Sequence, residues 1–308
     1  MARHHICVTG GSGYLGGWIV RLARPDWSVV ATYLTHPVDN EASAVDWRRL
    51  DVRDKKAVGA LVEELHPEVI VHTAAANPGT DRDMVETNAT GTRHVARAAA
   101  ACNARLIHIS TDVLFDGETR PGRQGQGNYV EEDPPTPITA YGRSKALAEQ
   151  AVRASGAEAV IVRTSLIYGW RPRIGRHTGW IVEGLRAGRP VRLFTDETRC
   201  PIWVESLAAA LTELAGLRYT GVLHVAGAQA LSRYEFGVRL MRFHGVDPSP
   251  IIPTLAAESG MRRPLDCTLD CSRARSLLRT PLPGVEETLS QNAGSIPDGT
   301  LMSRLPEL

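Results

Sequence analysis

The stretch Val8-Thr9-Gly10-Gly11-Ser12-Gly13-Tyr14-Leu15-Gly16 decides how this 308-residue chain is read. Ile6, Cys7 and Val8 form an apolar run of strand character, and an apolar segment of helical length runs from Tyr14 to Leu22. Between them, Gly10, Gly13 and Gly16 recur at three-residue intervals. Strand, glycine turn and helix in that order give a glycine motif its meaning. One glycine permits a turn with positive φ, one lets the backbone approach a pyrophosphate, and one lets the helix pack on the strand. The phosphates then rest on N–H groups at the helix N-terminus. The first pair is spaced G-x-x-G, a variant of the dinucleotide fingerprint. Gly10, Gly13, Tyr14, Leu15 and Gly16 are therefore the first cofactor-binding candidates.

The next segments keep the alternation of strand and helix. Ser28 to Tyr33 reads as a second strand, and Leu50-Asp51-Val52 as the end of a third. Asp54 is placed to cap a helix through Leu65. Glu68 to His72 is a continuous apolar run suited to a parallel strand buried on both faces. It ends in Thr73-Ala74-Ala75-Ala76, whose small side chains let a cofactor lie against the backbone. Asp51 and Val52 are candidates for the adenine end. No carboxylate follows the second strand, where Thr32, Tyr33, Leu34 and Thr35 stand. A carboxylate there would bond the adenosine ribose of NAD. Its absence leans the choice towards NADP(H) over NAD(H), with His36 the nearest cation.

A long helical stretch from Asp83 to Cys102 encloses Asn88, a polar residue expected to tie the helix to a neighbouring loop. Arg105 to Ile109 is a further core strand ending in Ser110-Thr111-Asp112. Open α/β sheets bind ligands at that edge. Gly117 to Pro137 reads as a long polar loop over the site. Tyr141 and Lys145 follow, four apart on one helical face. Val160 to Arg163 is the next strand. After Gly169 the character changes to shorter, irregular elements, with a loosely held tail from Ser295. The pattern predicts a Rossmann-type doubly wound parallel sheet with a smaller C-terminal α/β substrate lobe. The dinucleotide-binding half spans residues 1–169, with later segments returning to it, and residues 170–308 form most of the substrate lobe.

Composition bounds the function. The formal net charge is +1, which argues against a nucleic-acid or membrane surface. No apolar run reaches membrane-span length. The five cysteines are scattered and odd in number, as expected of reduced thiols in a cytoplasmic protein. Cys267 and Cys271 lack the second pair that a zinc site would want, so no metal is expected.

Thr111, Tyr141 and Lys145 are the candidate catalytic residues. A free tyrosine, with pKa about 10, is a poor acid–base catalyst at neutral pH. An ammonium nearby lowers that pKa, so the phenol can give a proton to a carbonyl oxygen while hydride reaches carbon. Thr111 can hold the same oxygen, and Lys145 would also reach the nicotinamide ribose. Taken alone, Y-x-x-x-K spacing is common on surface helices; the glycine turn and the Ser-Thr strand end give it weight.

Taken together, Thr9 to Gly16, Asp51-Val52, His72 to Ala75, Asn88, Ser110-Thr111-Asp112 and Tyr141-Gly142-Arg143-Ser144-Lys145 resemble, in order, the extended short-chain dehydrogenases/reductases. Ser110-Thr111-Asp112-Val113-Leu114-Phe115-Asp116-Gly117 is similar to the S-T-D-x-[VL]-F-D-G signature of the dTDP-4-dehydrorhamnose reductases. Arg163 to Gly169 and Arg263-Pro264 also match that group. The resemblance spans about residues 4–280. It implies reduction of a 4-keto group on a nucleotide-linked deoxysugar by Thr111, Tyr141 and Lys145, and the homodimer usual in the wider family. Asp112, Val113, Arg199 and Arg263 fall in segments that would meet the substrate. Arg173, Arg176 and Arg262 are further candidates for a diphosphate. Two departures stand out. Val113 replaces a common tyrosine, and Asp196-Glu197-Thr198-Arg199-Cys200-Pro201-Ile202 is only loosely similar to D-x-x-G-x-P-T. The same subgroup resembles the regulatory β subunit of methionine adenosyltransferase, a non-catalytic alternative. A nucleotide-sugar epimerase or dehydratase is another.

Overall fold

The computed structural model describes residues 4–36, 45–118, 129–171 and 174–293. The tail from Ser295, Arg173 and residues 119–128 of the expected polar loop lie outside the described residues. The first half alternates as the sequence predicts: β1 (His4–Thr9), α1 (Tyr14–Ala23), β2 (Trp27–Tyr33), β3 (Val45–Arg49), α2 (Lys55–Leu65) and β4 (Val69–His72). After these come α3 (Asp81–Met84), α4 (Thr92–Ala101), β5 (Arg105–Thr111), α5 (Ala140–Arg153) and β6 (Ala159–Thr164). Asp54 caps α2 as expected, its carboxylate accepting from the N–H groups of Lys56 and Ala57. β3 ends at Arg49, before the expected Leu50-Asp51-Val52. One more bond, Leu50 N–H to Tyr33 O at 2.8 Å, closes the ladder, and Asp51 then opens the turn into α2.

The second half is shorter-stepped. It runs β7 (Ile167–Tyr168), α6 (Arg176–Arg186), β8 (Val191–Phe194), β9 (Thr198–Arg199), β10 (Ile202–Trp203), α7 (Val204–Gly216) and β11 (Gly221–His224). It closes with β12 (Leu231–Ser232), α8 (Arg233–Phe243), β13 (Ile251–Thr254), α9 (Ser272–Leu277) and α10 (Val285–Gln291).

Seven strands form one parallel sheet in the order β11-β6-β5-β4-β1-β2-β3. Strand order reverses between β1 and β4, where open α/β sheets form their crevice. Alternate residues of β1 face opposite layers. Ile6 and Val8 pack with Ile19 of α1 and Leu207 and Leu211 of α7, while Cys7 packs with Val58, Val62 and Val95 of α2 and α4. α7 and β11 come from the second half of the chain yet complete this sheet and one of its layers. A separate apolar cluster joins Tyr168, Trp170, Ile181, Leu193, Phe236 and Leu240 around the parallel pair β8–β13.

Between α3 and α4 the helix widens into π-type turns from Val85 to Gly91, with Asn88 inside them and fully buried. Its Oδ1 accepts from Ala76 N–H at 2.8 Å, and its Nδ2 donates to Ala76 O at 3.0 Å and Ser144 Oγ at 2.9 Å. The expected tie from helix to loop is therefore made, and it reaches α5 as well. Asn88→Ala would leave the half-buried N–H and C=O of Ala76 without this partner, destabilising the fold by about 1–2 kcal/mol. Urea unfolding should show a lower midpoint at unchanged slope.

Candidate active site

The C-terminal edge of the sheet opens into a cavity of about 850 Å³. One end is the glycine turn. Gly13 N–H donates to Gly10 O at 2.9 Å, and Gly10 N–H donates to the Thr32 hydroxyl at 3.2 Å. A Cβ at Gly16 would lie 2.2 Å from Gly10 O, so only glycine lets α1 seat this closely on the turn. α1 begins with no side-chain cap and no acidic residue in its first turn. By contrast α2, α5 and α8 are capped by Asp54, Thr139 and Ser232. An uncapped N-terminus carries partial positive charge and suits a phosphate. These residues fit a dinucleotide: Gly10, Gly13, Tyr14, Leu15, Gly16 and Ala75 line the cavity. Asp51, Val52, Ala74 and Ala76 do not. Asp51 is paired with Arg53 at 2.7 Å, Val52 is buried against Gly91, Ala74 backs the Gly10 turn, and the Ala76 backbone is held by Asn88.

Thr111, at the end of β5, and Tyr141 and Lys145, on the first turns of α5, line the same cavity. Thr139 starts α5 by accepting from Gly142 N–H at 3.0 Å. A Cβ at Gly142 would stand 2.3 Å from Val113 O, so glycine here brings the helix onto the turn after Thr111. The Thr111 hydroxyl donates to Asp112 Oδ1 at 3.2 Å. Lys145 is 3% exposed. Its Nζ donates to Ile109 O at 2.6 Å and sits 3.3 Å from His108 Nε2. Behind it, His72 stacks with His108 at 5.5 Å and bridges the hydroxyls of Thr9 and Thr92. Burial, then the Lys145 charge, push both imidazoles towards their neutral form, His72 to about 3.

One expectation is corrected. The Tyr141 phenol is pushed up to about 12, by burial first and the Asp112 charge second, with Arg176 opposing. The Lys145 ammonium, held on Ile109 O, is not among the charges that set it.

The other end of the cavity is polar and charged. Asp112 and Val113 line it. Asp112 accepts from the Ser165 hydroxyl at 2.6 Å and faces Arg199 Nε at 3.7 Å; burial raises its pKa. Arg199 lines the cavity, but its donors are taken: Nη1 meets the carbonyls of Thr198 and Leu265, and Nη2 meets that of Pro264. Arg263 pairs with buried Glu197 and stacks over Phe194 at 4.7 Å. Arg262 is exposed and bonded to Glu118, and Arg176 donates to Asn77 O. Two further cations escaped the sequence reading. Arg49 sits beside Tyr33 in the β3–β2 register, and its Nε donates to Leu34 O at 3.2 Å. Arg233 lines the cavity from α8. Arg49 was signalled by its place at the end of a strand adjoining the ribose edge; Arg233 had no signal beyond the cap at Ser232. Among the described residues no group of three or more metal-ligating side chains occurs, all five cysteines are free, and no helix is long and apolar enough to cross a membrane.

Fold and site together define an extended short-chain dehydrogenase/reductase architecture. The chain belongs to the family described as RmlD substrate binding domain, which matches residues 4–295. It is 33% identical to the probable low-salt glycan biosynthesis reductase Agl14 of Haloferax volcanii, covering 92% of this chain and 95% of that protein. It is 32% identical to dTDP-4-dehydrorhamnose reductase of Mycobacterium tuberculosis, covering 82% and 80%. Methionine adenosyltransferase 2 subunit beta of Mus musculus is 27% identical, covering 92% and 86%. Among solved structures, dTDP-4-dehydrorhamnose reductase from Bacillus anthracis in complex with NADP superposes with TM-score 0.78 at 25% identity, covering 94% of this chain and 98% of that one.

The buried lysine gives a thermodynamic signature. Its pKa is about 8 folded against 10.5 as the ordinary value, so between those limits the unfolded chain binds more protons. Wild-type stability should rise relative to Lys145→Met as pH climbs from about 8 to 10.5, read from urea midpoints. A pH-independent difference would contradict a titrating Lys145.

Proposed function

We propose that the protein is an NADPH-dependent reductase of a 4-keto group on a nucleotide-linked deoxysugar. The observation that carries this reading is a single cavity lined at one end by the uncapped glycine turn and at its middle by Thr111, Tyr141 and Lys145. A bound nicotinamide dinucleotide would supply the hydride. The Tyr141 hydroxyl gives the proton to the keto oxygen, and its raised pKa keeps it protonated through the neutral range. The Thr111 hydroxyl turns from Asp112 to donate to the same oxygen. Lys145, fixed on Ile109 O, keeps a positive charge beside the site at neutral pH. Residues 170–308 mostly serve the substrate side, through Glu197, Arg199, Arg233 and Arg263.

Arg49 supports NADP(H). The end of β2 has no carboxylate to repel a 2′-phosphate, and Arg49 stands beside it, its Nε donating to the Leu34 carbonyl. The free cysteines support a reducing, cytoplasmic setting, and the homodimer of the wider family goes with this reading. The regulatory-subunit alternative is not favoured, since a scaffold has no use for a desolvated lysine one turn from a cavity-lining tyrosine.

Purified protein mixed with NADPH and a dTDP-linked 4-keto-6-deoxyhexose should consume cofactor stoichiometrically, followed by absorbance. No oxidation with dTDP-, UDP- or GDP-linked ketones would overturn the reading; cofactor that co-purifies and is not consumed would point to an epimerase. Tyr141→Phe should lower kcat about 10²–10⁴-fold with NADPH affinity retained. Arg49→Gln should raise KM for NADPH about tenfold and leave KM for NADH unchanged.

A further inference from the structure

Two histidines sit where the core of the sheet would take apolar side chains. His72 and His108 are register partners on β4 and β5. They share the face on which Ile70 and Leu106 pack with α2 and α4. Both are buried, and their rings stack at 5.5 Å with planes 30° apart.

The hydrogen bonds decide which nitrogen of each ring carries the proton. The Thr92 hydroxyl donates its one hydrogen to Asn88 O at 2.5 Å, so it accepts from His72 Nε2–H at 3.0 Å. His72 Nδ1 is then the acceptor for the Thr9 hydroxyl at 2.6 Å. His108 takes the opposite tautomer. Its Nε2 lies 3.3 Å from the Lys145 ammonium, a group that only donates. Nε2 therefore accepts, and the proton sits on Nδ1. That Nδ1–H is buried and meets no partner among the described residues. An orphaned buried N–H is costly, and a leucine at 108 would avoid it. The imidazole is kept for its other nitrogen.

An ammonium has three N–H groups in tetrahedral directions. β5 takes two of them, at Ile109 O and at His108 Nε2. With two directions fixed the third is fixed too, and Lys145 lines the cavity. We propose that His108 is a positioning residue: by accepting one N–H of Lys145 it aims another into the cavity. In the reductase reading, on which this inference rests, that N–H meets the nicotinamide ribose. His72, held between two threonines, keeps the His108 ring in its plane.

The other groups around the lysine do not replace this acceptor. Glu149, one turn further along α5, favours the ammonium, but its carboxylate accepts from Ser110, Arg153 and Arg163. Tyr141 lies one turn earlier, with Asp112 and Arg176 as the charges that act on it. His72 and His108 are pushed towards their neutral form. Removing the His108 acceptor should therefore make the Lys145 proton easier to lose.

Imidazole ¹⁵N shifts of the wild-type protein without cofactor, assigned by difference with His108→Gln and His72→Gln, should show His108 protonated on Nδ1 and His72 on Nε2 at pH 7. The His108 Nε2 shift should also follow the Lys145 titration near pH 8. In turnover, His108→Leu should raise KM for NADPH about five- to tenfold. It should move the alkaline fall of kcat/KM to lower pH by about one unit, the worth of a lost hydrogen bond to a charged group. His108→Gln, whose Oε1 can accept where Nε2 did, should restore both. His108 protonated on Nε2 in the wild type would overturn the proposal, whether or not His108→Leu folds. So would a lower urea midpoint in His108→Leu with KM and the alkaline limb unmoved, or equal losses in His108→Leu and His108→Gln, since either marks a packing role. Absence of wild-type turnover with every nucleotide-linked ketone would count against the reductase reading alone; the tautomers would still decide the role of His108.

Discussion

The hydrogen bond from the Lys145 ammonium to the Ile109 carbonyl fastens the helix that carries the site to the strand that faces it. It joins the second turn of α5 to β5 two residues before Thr111. Tyr141 lies one turn earlier on the same face, so this one bond fixes the tyrosine against the strand end. The opposite flank of α5 is held by Ser144, whose hydroxyl accepts from Asn88, and Asn88 in turn holds the backbone of Ala76 after β4. The π-type turns at Val85–Gly91 are what set that amide between two elements at once. The helix is thus clamped from both sides, and the ends of β4 and β5 keep their spacing around the cavity.

Electrostatics explains why the clamp can be a lysine. An ammonium 3% exposed needs acceptors and no competing cations. Ile109 O is one acceptor and the His108 imidazole a second. Burial and the lysine's own charge push both histidines behind it towards their neutral form, so they add little competing positive charge. A helix N-terminus without acid stands at the glycine end of the cavity, and arginines facing Asp112 and Glu197 stand at the other.

What could be read from residues alone follows from local physics. Strand, glycine turn and helix are recognisable because each depends on neighbours in sequence. The i,i+4 relation of Tyr141 and Lys145 is helical geometry, and Asp54 and Asn88 declare themselves because a cap or a buried amide needs partners. Arg49 and Arg233 were not legible for the opposite reason. Arg49 reaches the end of β2 only through the parallel register that pairs it with Tyr33, and Arg233 reaches the cavity only through the fold of the second half. The tyrosine was misjudged in the same way: spacing shows that a lysine is near, but only burial shows whether its charge or the loss of water sets the pKa.

The segment from Asp196 to Ile202 shows how a departure from a family pattern acquires a physical meaning. An arginine stands at 199 where a glycine is common, and sequence alone suggests a new phosphate ligand. In the fold its guanidinium meets the carbonyls of Thr198, Pro264 and Leu265, and its Nε faces Asp112. It therefore braces the main chain immediately after Arg263 against the strand that carries it. Ile202, in place of a threonine, is fully buried and pairs with β7 at Ile167, so that position too serves packing. Arg199 is held as a brace and Arg263 is held by Glu197. The arginine at 199 thus serves the main chain of Thr198, Pro264 and Leu265 and faces Asp112, while Thr111, Tyr141 and Lys145 keep their own partners at the strand end.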